Sequence, residues 1–236
     1  MNKTAFKIIR SIVRFLLRLI ARIEVVGAEN LPQSRGYVVA GNHIGLLDAF
    51  MPYVFLDRLD IILLVAEKHR KHAFTRWLTH LINGIFIDRY NADVGALRAT
   101  LRRLQAGGIL TMTPEGTRSK SGNLNEARPG GIFLAWKAGV PIVPAAITGD
   151  EDAVVKDRLK HFRRLDIRIR AGKPFTLPPG NGRERDELMQ EYTEEVMCRI
   201  AALLPPERRG FYAGNPKVSE VYDVSEVPPD NERQDT

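Results

Sequence analysis

Two short segments carry side chains whose types and spacing could do chemistry. The first is Asn42–His43–Ile44–Gly45–Leu46–Leu47–Asp48, directly after an apolar run. A histidine whose ring N–H is held by a carboxylate has its tautomer fixed, and its other nitrogen is free to take a hydroxyl proton. On one regular helix, five residues turn the chain by roughly 500°, which leaves the side chains of His43 and Asp48 about 140° apart. They meet only if His43 sits in a turn ahead of the helix that holds Asp48. A two-ligand metal site is the other use of such a pair, but no third ligand stands nearby in sequence. The second segment is Thr113–Pro114–Glu115–Gly116–Thr117–Arg118–Ser119, also after an apolar run. Its glycine permits close backbone approach, and its hydroxyls and guanidinium suit a phosphate. A surface turn with a solvated arginine is the plainer reading of the same residues.

The elements that must position these segments follow from the apolar runs. Tyr37 to Ala40, Ile61 to Val65, Ile85 to Ile87, Ile109 to Thr113 and Ile142 to Ile147 read as buried strands. Helical patterns over Ala73 to Leu81, Val94 to Gln105 and Gly131 to Ala138 separate them, and a last helix spans Arg183 to Leu204. Leu165 to Ala171 alternates apolar and basic residues and reads as an edge strand. Strands alternating with helices imply an α/β fold: a largely parallel central sheet flanked by helices on both faces. Ligands of such sheets bind beyond the carboxyl ends of the strands, which is where both chemical segments stand.

Composition narrows the partners. The 236-residue chain carries a net charge of +7, and its stretch from Pro216 onward is itself acidic, so the body is more basic than the total. A basic body implies an anionic partner. The single cysteine, Cys198, excludes an intrachain disulfide and reads as an inert thiol in a helix. Residues 3 to 23 read as one helix, with Lys3, Lys7, Arg10, Arg14, Arg18 and Arg22 inside an arc of roughly 120° and a broad apolar face opposite. The arginines interrupt any apolar stretch of the ~20 residues that a spanning helix needs, and a cleavable signal peptide fits poorly. A helix lying in the interface of an anionic membrane fits the pattern, while an ordinary helix packed on the core is the alternative. Nucleic acid would leave the apolar face nothing to bury against. The basic run Lys68–His69–Arg70–Lys71–His72 reads as a solvated loop or as a contact for phosphates or lipid headgroups. Lys160–His161–Phe162–Arg163–Arg164 interleaves cations with an aromatic, which suits single-stranded nucleic acid or, favoured by the first helix, a membrane surface.

Taken together, the segments resemble the glycerolipid acyltransferase family. That family's Asn-His-x-Ser-x-x-Asp motif stands here as Asn42 to Asp48, and its Phe-Pro-Glu-Gly-Thr-Arg-Ser motif as Thr113 to Ser119. A second motif corresponds to Gly84–Ile85–Phe86–Ile87–Asp88–Arg89, and a fourth to Val140–Pro141–Ile142–Val143–Pro144. All four occur in order across residues 24 to 150. Two positions depart from the pattern: Gly45 replaces the usual serine and Thr113 the usual phenylalanine.

The resemblance implies an enzyme of phospholipid biosynthesis. His43 would be the general base and Asp48 its orienting partner, with Arg89, Glu115, Gly116, Thr117 and Arg118 shaping the acceptor site. An acyl group would pass from a thioester, acyl-CoA or acyl-ACP, to the free hydroxyl of 1-acyl-sn-glycerol 3-phosphate, giving phosphatidate. That lysophospholipid is the expected acceptor, another lysophospholipid or glycolipid the alternative. No metal or bound cofactor is expected, nor a nucleic-acid partner. The organisation expected is an interfacial helix over 1–25, an acyltransferase domain over 26–213 and a disordered acidic tail over 214–236. The protein would sit peripherally on the cytoplasmic face of the cell membrane. A non-catalytic module binding anionic membrane is the rival from another class, disfavoured because lipid binding alone needs no His43/Asp48 pair.

Overall fold

A computed structural model describes residues 3–33, 35–56, 58–88, 91, 93–180, 182 and 184–221. Seven strands form one sheet: β1 (Ala21–Val26), β2 (Tyr37–Gly41), β3 (Ile61–Ala66), β4 (Ile85–Ile87), β5 (Ile109–Met112), β6 (Ile142–Thr148) and β7 (Leu165–Ala171). The helices are α1 (Lys3–Ile20), α2 (Met51–Phe55), α3 (Ala73–Leu81), α4 (Val94–Gln105), α5 (Ile132–Ala138), α6 (Asp152–Lys160), α7 (Arg185–Leu203) and α8 (Lys217–Val221). The strand order is β1-β7-β6-β2-β5-β3-β4, and every pairing is parallel except β6 with β7. The largely parallel α/β sheet is therefore as the sequence predicts.

Period-two alternation sends the strand side chains to two apolar layers. Val38, Ala40, Ile62, Leu110 and Ile142 pack with α4, α5 and α7 on one face. Tyr37, Val39, Ile61, Ile109 and Val143 pack with α1, α2 and α3 on the other. Both faces are covered, so the central strands read as continuous apolar runs. Fully burying each of the Val, Leu and Ile side chains among them is worth ~1.5–3 kcal/mol. Cys198 lies in α7 with no exposure. Burial first, then the nearby Glu194, pushes its thiol up to about 11, which keeps it inert.

β2 lies between β5 and β6, parallel to both, with Val39 opposite Thr111 on one side and Val143 on the other. The carboxyl ends of these three strands therefore open onto one edge of the sheet. Asn42, Thr113 and Gly149 each follow closely, so segments far apart in sequence meet there.

Several expectations are corrected. The first helix ends at Ile20, not at residue 23, and Ala21–Val26 enters the sheet. Arg22 is thus on a strand, where it pairs with Asp166 at 3.8 Å. Arg14 does not face outward: its guanidinium donates to the Tyr53 carbonyl at 2.9 Å and the Val54 carbonyl at 3.1 Å, closing the end of α2. β7 is not an edge strand, because β1 pairs along its outer side. The tail does not begin at residue 214. Val218 of α8 is buried, and Lys217 reaches Glu194 of α7 at 2.7 Å. Residues 222–236 lie outside the described residues, as does Arg89.

Candidate active site

The end of β2 shows how the first segment is placed. Backbone pairing with β6 stops at Gly41 opposite Ala145. The buried Asn42 side chain then stands in for one more peptide group. Its Nδ2 donates to the Ile147 carbonyl at 2.9 Å, and its Oδ1 accepts the Ile147 N–H at 2.8 Å. This prolongs the ladder while freeing the main chain to turn, and His43 leaves the sheet at a fixed point. The His43 N–H donates to Glu115 Oε1 at 2.7 Å, and its carbonyl accepts the Ser119 N–H at 2.7 Å. The second Glu115 oxygen accepts the Asn125 N–H at 2.8 Å. Burial raises the Glu115 carboxyl above its ordinary range, against the lowering effect of the Asn125 and His43 amides. Glu115 thus clamps two loops to the histidine's backbone.

Asp48 sits in a 3-10 turn, Leu47–Ala49, just ahead of α2. The break in helical geometry that the five-residue spacing demands is present. His43 Nδ1 lies 2.7 Å from Asp48 Oδ2, and the same oxygen accepts the Ile44 N–H at 2.8 Å and the Gly45 N–H at 3.1 Å. Burial alone would push Asp48 up. The bonds from His43, Asp150 and Gly45 outweigh it, and the carboxyl is held below its ordinary range. An ionised Asp48 takes its bond from a protonated Nδ1, which leaves His43 Nε2 with an open lone pair.

His43 and Asp48 line a cavity of about 390 Å³ beyond the carboxyl ends of the strands. Its walls are chiefly apolar, with Pro52, Leu63, Ile87 and Leu134 among them. Gly116 and Arg128 line it as well. Gly116 takes φ +72°, a left-handed turn that a side chain would strain. Glu115 is buried behind the cavity. Thr117 and Arg118 are exposed and do not line it. Arg118 Nη1 is 2.6 Å from Asp152 Oδ2, while Asp152 Oδ1 accepts the Leu46 N–H at 2.9 Å. The structure therefore brings His43, Asp48, Glu115 and Gly116 together and leaves Arg118 at the rim. Arg128 escaped sequence reasoning. Its only signal is its position before Pro129–Gly130–Gly131, at the entry to α5.

Gly45 has a structural reason. A Cβ there would stand 1.9 Å from the Asp150 carbonyl oxygen. The serine usual in the resembled motif has no room in this chain. Gly45→Ser is expected to lower stability by about 1–3 kcal/mol through overpacking, measured by urea unfolding. An unchanged midpoint would show that the loop yields at no cost.

A family model described as Acyltransferase matches residues 22–148, more than half of the chain. The chain belongs to the acyltransferase family. The match runs from β1 to the end of β6 and so contains both halves of the site. Among curated proteins, the chain is 26% identical over 198 residues to the 1-acyl-sn-glycerol-3-phosphate acyltransferase of Bacillus subtilis, covering 84% of this chain and 96% of that one. It is 25% identical over 164 residues to the protein of the same name from Borreliella burgdorferi, covering 66% of this chain and 63% of that one. It is 31% identical over 133 residues to a probable enzyme of that name from Mycoplasma genitalium, covering 54% of this chain and 49% of that one. The chain thus spans less than two thirds of some of these relatives. The crystal structure of the 1-acyl-sn-glycerophosphate (LPA) acyltransferase PlsC from Thermotoga maritima superposes with a TM-score of 0.60 at 26% identity, covering 81% of this chain and 76% of that one.

Proposed function

We propose that this acyltransferase moves an acyl group from a thioester, acyl-CoA or acyl-ACP, onto the free hydroxyl of 1-acyl-sn-glycerol 3-phosphate. The observation that carries the proposal is the His43–Asp48 pair, closed at 2.7 Å on the wall of a largely apolar cavity. The names of the relatives support the acceptor. In the reaction, His43 Nε2 takes the hydroxyl proton as the oxygen bonds to the thioester carbonyl carbon. The tetrahedral intermediate then collapses, the C–S bond breaks, and the imidazolium returns the proton to the leaving thiolate. Asp48 steadies the imidazolium formed between those steps. The apolar walls suit the acyl chains.

Arg128 and Arg118 are assigned to the acceptor phosphate, Arg128 from the cavity wall and Arg118 from the rim. Truncating Arg128 to Ala is expected to raise the KM for the acceptor by about tenfold or more, and that for the donor little. Arg118→Ala is expected to act in the same direction but less, because Arg118 already spends its charge on Asp152. Equal changes in both Michaelis constants for Arg128→Ala would remove it from the phosphate site.

Among the described residues, no helix is long and apolar enough to cross a membrane. α1 is proposed to hold the enzyme peripherally on the anionic cytoplasmic face. Ile9, Val13, Leu17 and Ile20 pack on the core. Ile8, Ile12, Phe15, Leu16 and Leu19 form an adjacent exposed stripe. One side of the helix thus packs on the core, and the exposed side is the one assigned to the membrane.

The deciding assay follows thiol release with acyl-CoA and acyl-ACP against a panel of lysophospholipids and glycolipids. Release that depends on 1-acyl-sn-glycerol 3-phosphate is the expected result. Turnover confined to another acceptor would reassign the substrate.

A further inference from the structure

Behind the catalytic pair lies a second acid that the reaction above does not use. Asp150 follows β6 by two residues and has no exposure. Its carboxyl and that of Asp48 meet at Gly45, and each acts on the other's ionisation. The point of closest packing is Gly45, whose N–H is given to Asp48 and whose missing Cβ would stand 3.2 Å from Asp150 Oδ2. Asp48 Oδ1 and both Asp150 oxygens are buried and receive no N–H or hydroxyl donor from another described residue.

Two buried carboxylates in contact cannot both be ionised without a cation between them. Among the described residues, the charged groups that act most on Asp150 are Asp48 and Glu151, both acids. The cations that the adjoining acids draw in are held by those acids, Arg208 by Glu151 at 3.1 Å and Arg118 by Asp152 at 2.6 Å. One carboxyl of the pair therefore holds a proton. The donors decide which. Asp48 Oδ2 accepts from the His43 ring and from two backbone amides, so Asp48 keeps the charge. Asp150 has no comparable support.

We propose that Asp150 is a positioning residue that stays protonated and donates its O–H to Asp48 Oδ1, making a hydrogen-bonded line from Asp150 through Asp48 to His43. The inference rests on the catalytic reading of His43 and Asp48 and deepens it. With both oxygens bonded, the Asp48 carboxylate cannot rotate, and His43 is aimed at the cavity. Burial, then the Asp48 carboxylate, pushes Asp150 up to about 10, in keeping with a neutral acid at pH 7. Gly45 belongs to the same arrangement, since a side chain there would displace the acid.

The test uses Asp150→Asn and Asp150→Ala in the full chain. An amide imitates a neutral acid, because its NH₂ can donate to Asp48 Oδ1. Asp150→Asn should keep most of the wild-type kcat. Asp150→Ala should lose about tenfold, the effect of stranding a buried acceptor, with its acceptor KM little changed. The acid limb of its kcat/KM profile should move to higher pH, because an Asp48 short of one donor draws a proton onto the pair more strongly. Loss in Asp150→Asn equal to that in Asp150→Ala would overturn the proposal, as would full activity in Asp150→Ala. Unfolding supplies an arm independent of turnover. Asp150 is raised in the folded state, so as pH climbs from about 4 toward 10 only the unfolded chain releases that proton, and wild type loses stability that an amide does not lose. Asp150→Asn should therefore gain on wild type steadily between pH 5 and pH 9 in urea unfolding. A gap that does not vary with pH, or an Asp150→Asn chain that fails to fold, would show that no neutral acid occupies the site. Absence of thiol release by wild type would instead defeat the proposed function and leave the unfolding result standing.

Discussion

His43→Ala is expected to lower acyl transfer by ~10²–10⁴, the range for removal of a general base, with the fold intact. The structure separates the two consequences. The His43 backbone bonds, to Glu115 and from Ser119, do not involve the ring and survive truncation. Asp48 keeps the Ile44 and Gly45 amides on Oδ2. What is lost is the nitrogen proposed to take the hydroxyl proton. The loss should therefore fall on kcat, with acceptor KM close to wild type, because the contacts proposed for the phosphate and acyl chain are made by other residues. Because His43 borders a cavity, added imidazole should restore part of the rate. Steady-state kinetics with and without imidazole, beside circular dichroism and thermal melting, check this. A folded His43→Ala enzyme with near-normal kcat would remove His43 from the reaction.

That expectation depends on a meeting of residues that the sequence reveals unevenly. The strands after which His43 and Glu115 stand are legible because both faces of a parallel sheet are covered, so β2, β5 and β6 are written as unbroken apolar runs. The neighbourhood of β2, β5 and β6 is not legible in that way, since strand order is set by crossovers and not by local pattern. Asp150 stayed hidden for this reason. Its sequence, Gly149–Asp150–Glu151–Asp152, looks like a solvated acidic turn until β6 is seen ending beside β2. The limit of α1 is not legible because Ile23 fits two periods. It continues the apolar face of a helix, and it also alternates with Arg22 and Glu24 as a strand residue does. Without β1, β7 has the pattern of an edge. α6 leaves little sequence signal because Asp152–Lys160 sets charges around most of its circumference, leaving no clear apolar stripe. Arg118 shows the reverse case. Its motif made it legible, yet in the structure its guanidinium is turned to Asp152 at the rim.

The second large effect concerns the membrane. Deleting residues 1–22 would remove Leu17 and Ala21, which are buried in the core, and the start of the strand Ala21–Val26. Such a truncation is expected to unfold the protein. The exposed stripe can be changed alone. Ile12, Phe15, Leu16 and Leu19 are 52%, 67%, 52% and 63% exposed. Replacing all four with Gln keeps the helix, since Gln is a good helix former, and should leave the melting temperature nearly unchanged. Immersing the exposed halves of four such side chains in lipid is worth about 3–5 kcal/mol. Their loss should reduce binding to anionic vesicles by on the order of 10²–10³. Charge contributes separately. Lys7 and Arg18 are exposed beside the stripe, and each cation near an anionic leaflet adds about 1 kcal/mol that salt screens. Raising salt should therefore weaken binding of the wild-type chain only in part, while the four-Gln variant, left with charge and Ile8 of the stripe, should lose most of what remains. Co-sedimentation with phosphatidylglycerol-containing and pure phosphatidylcholine vesicles at two salt concentrations measures both contributions. Wild-type binding by the four-Gln variant would show that α1 is not the anchor. The loop Lys160–Arg164, with Phe162 98% exposed, would then be the surface to change.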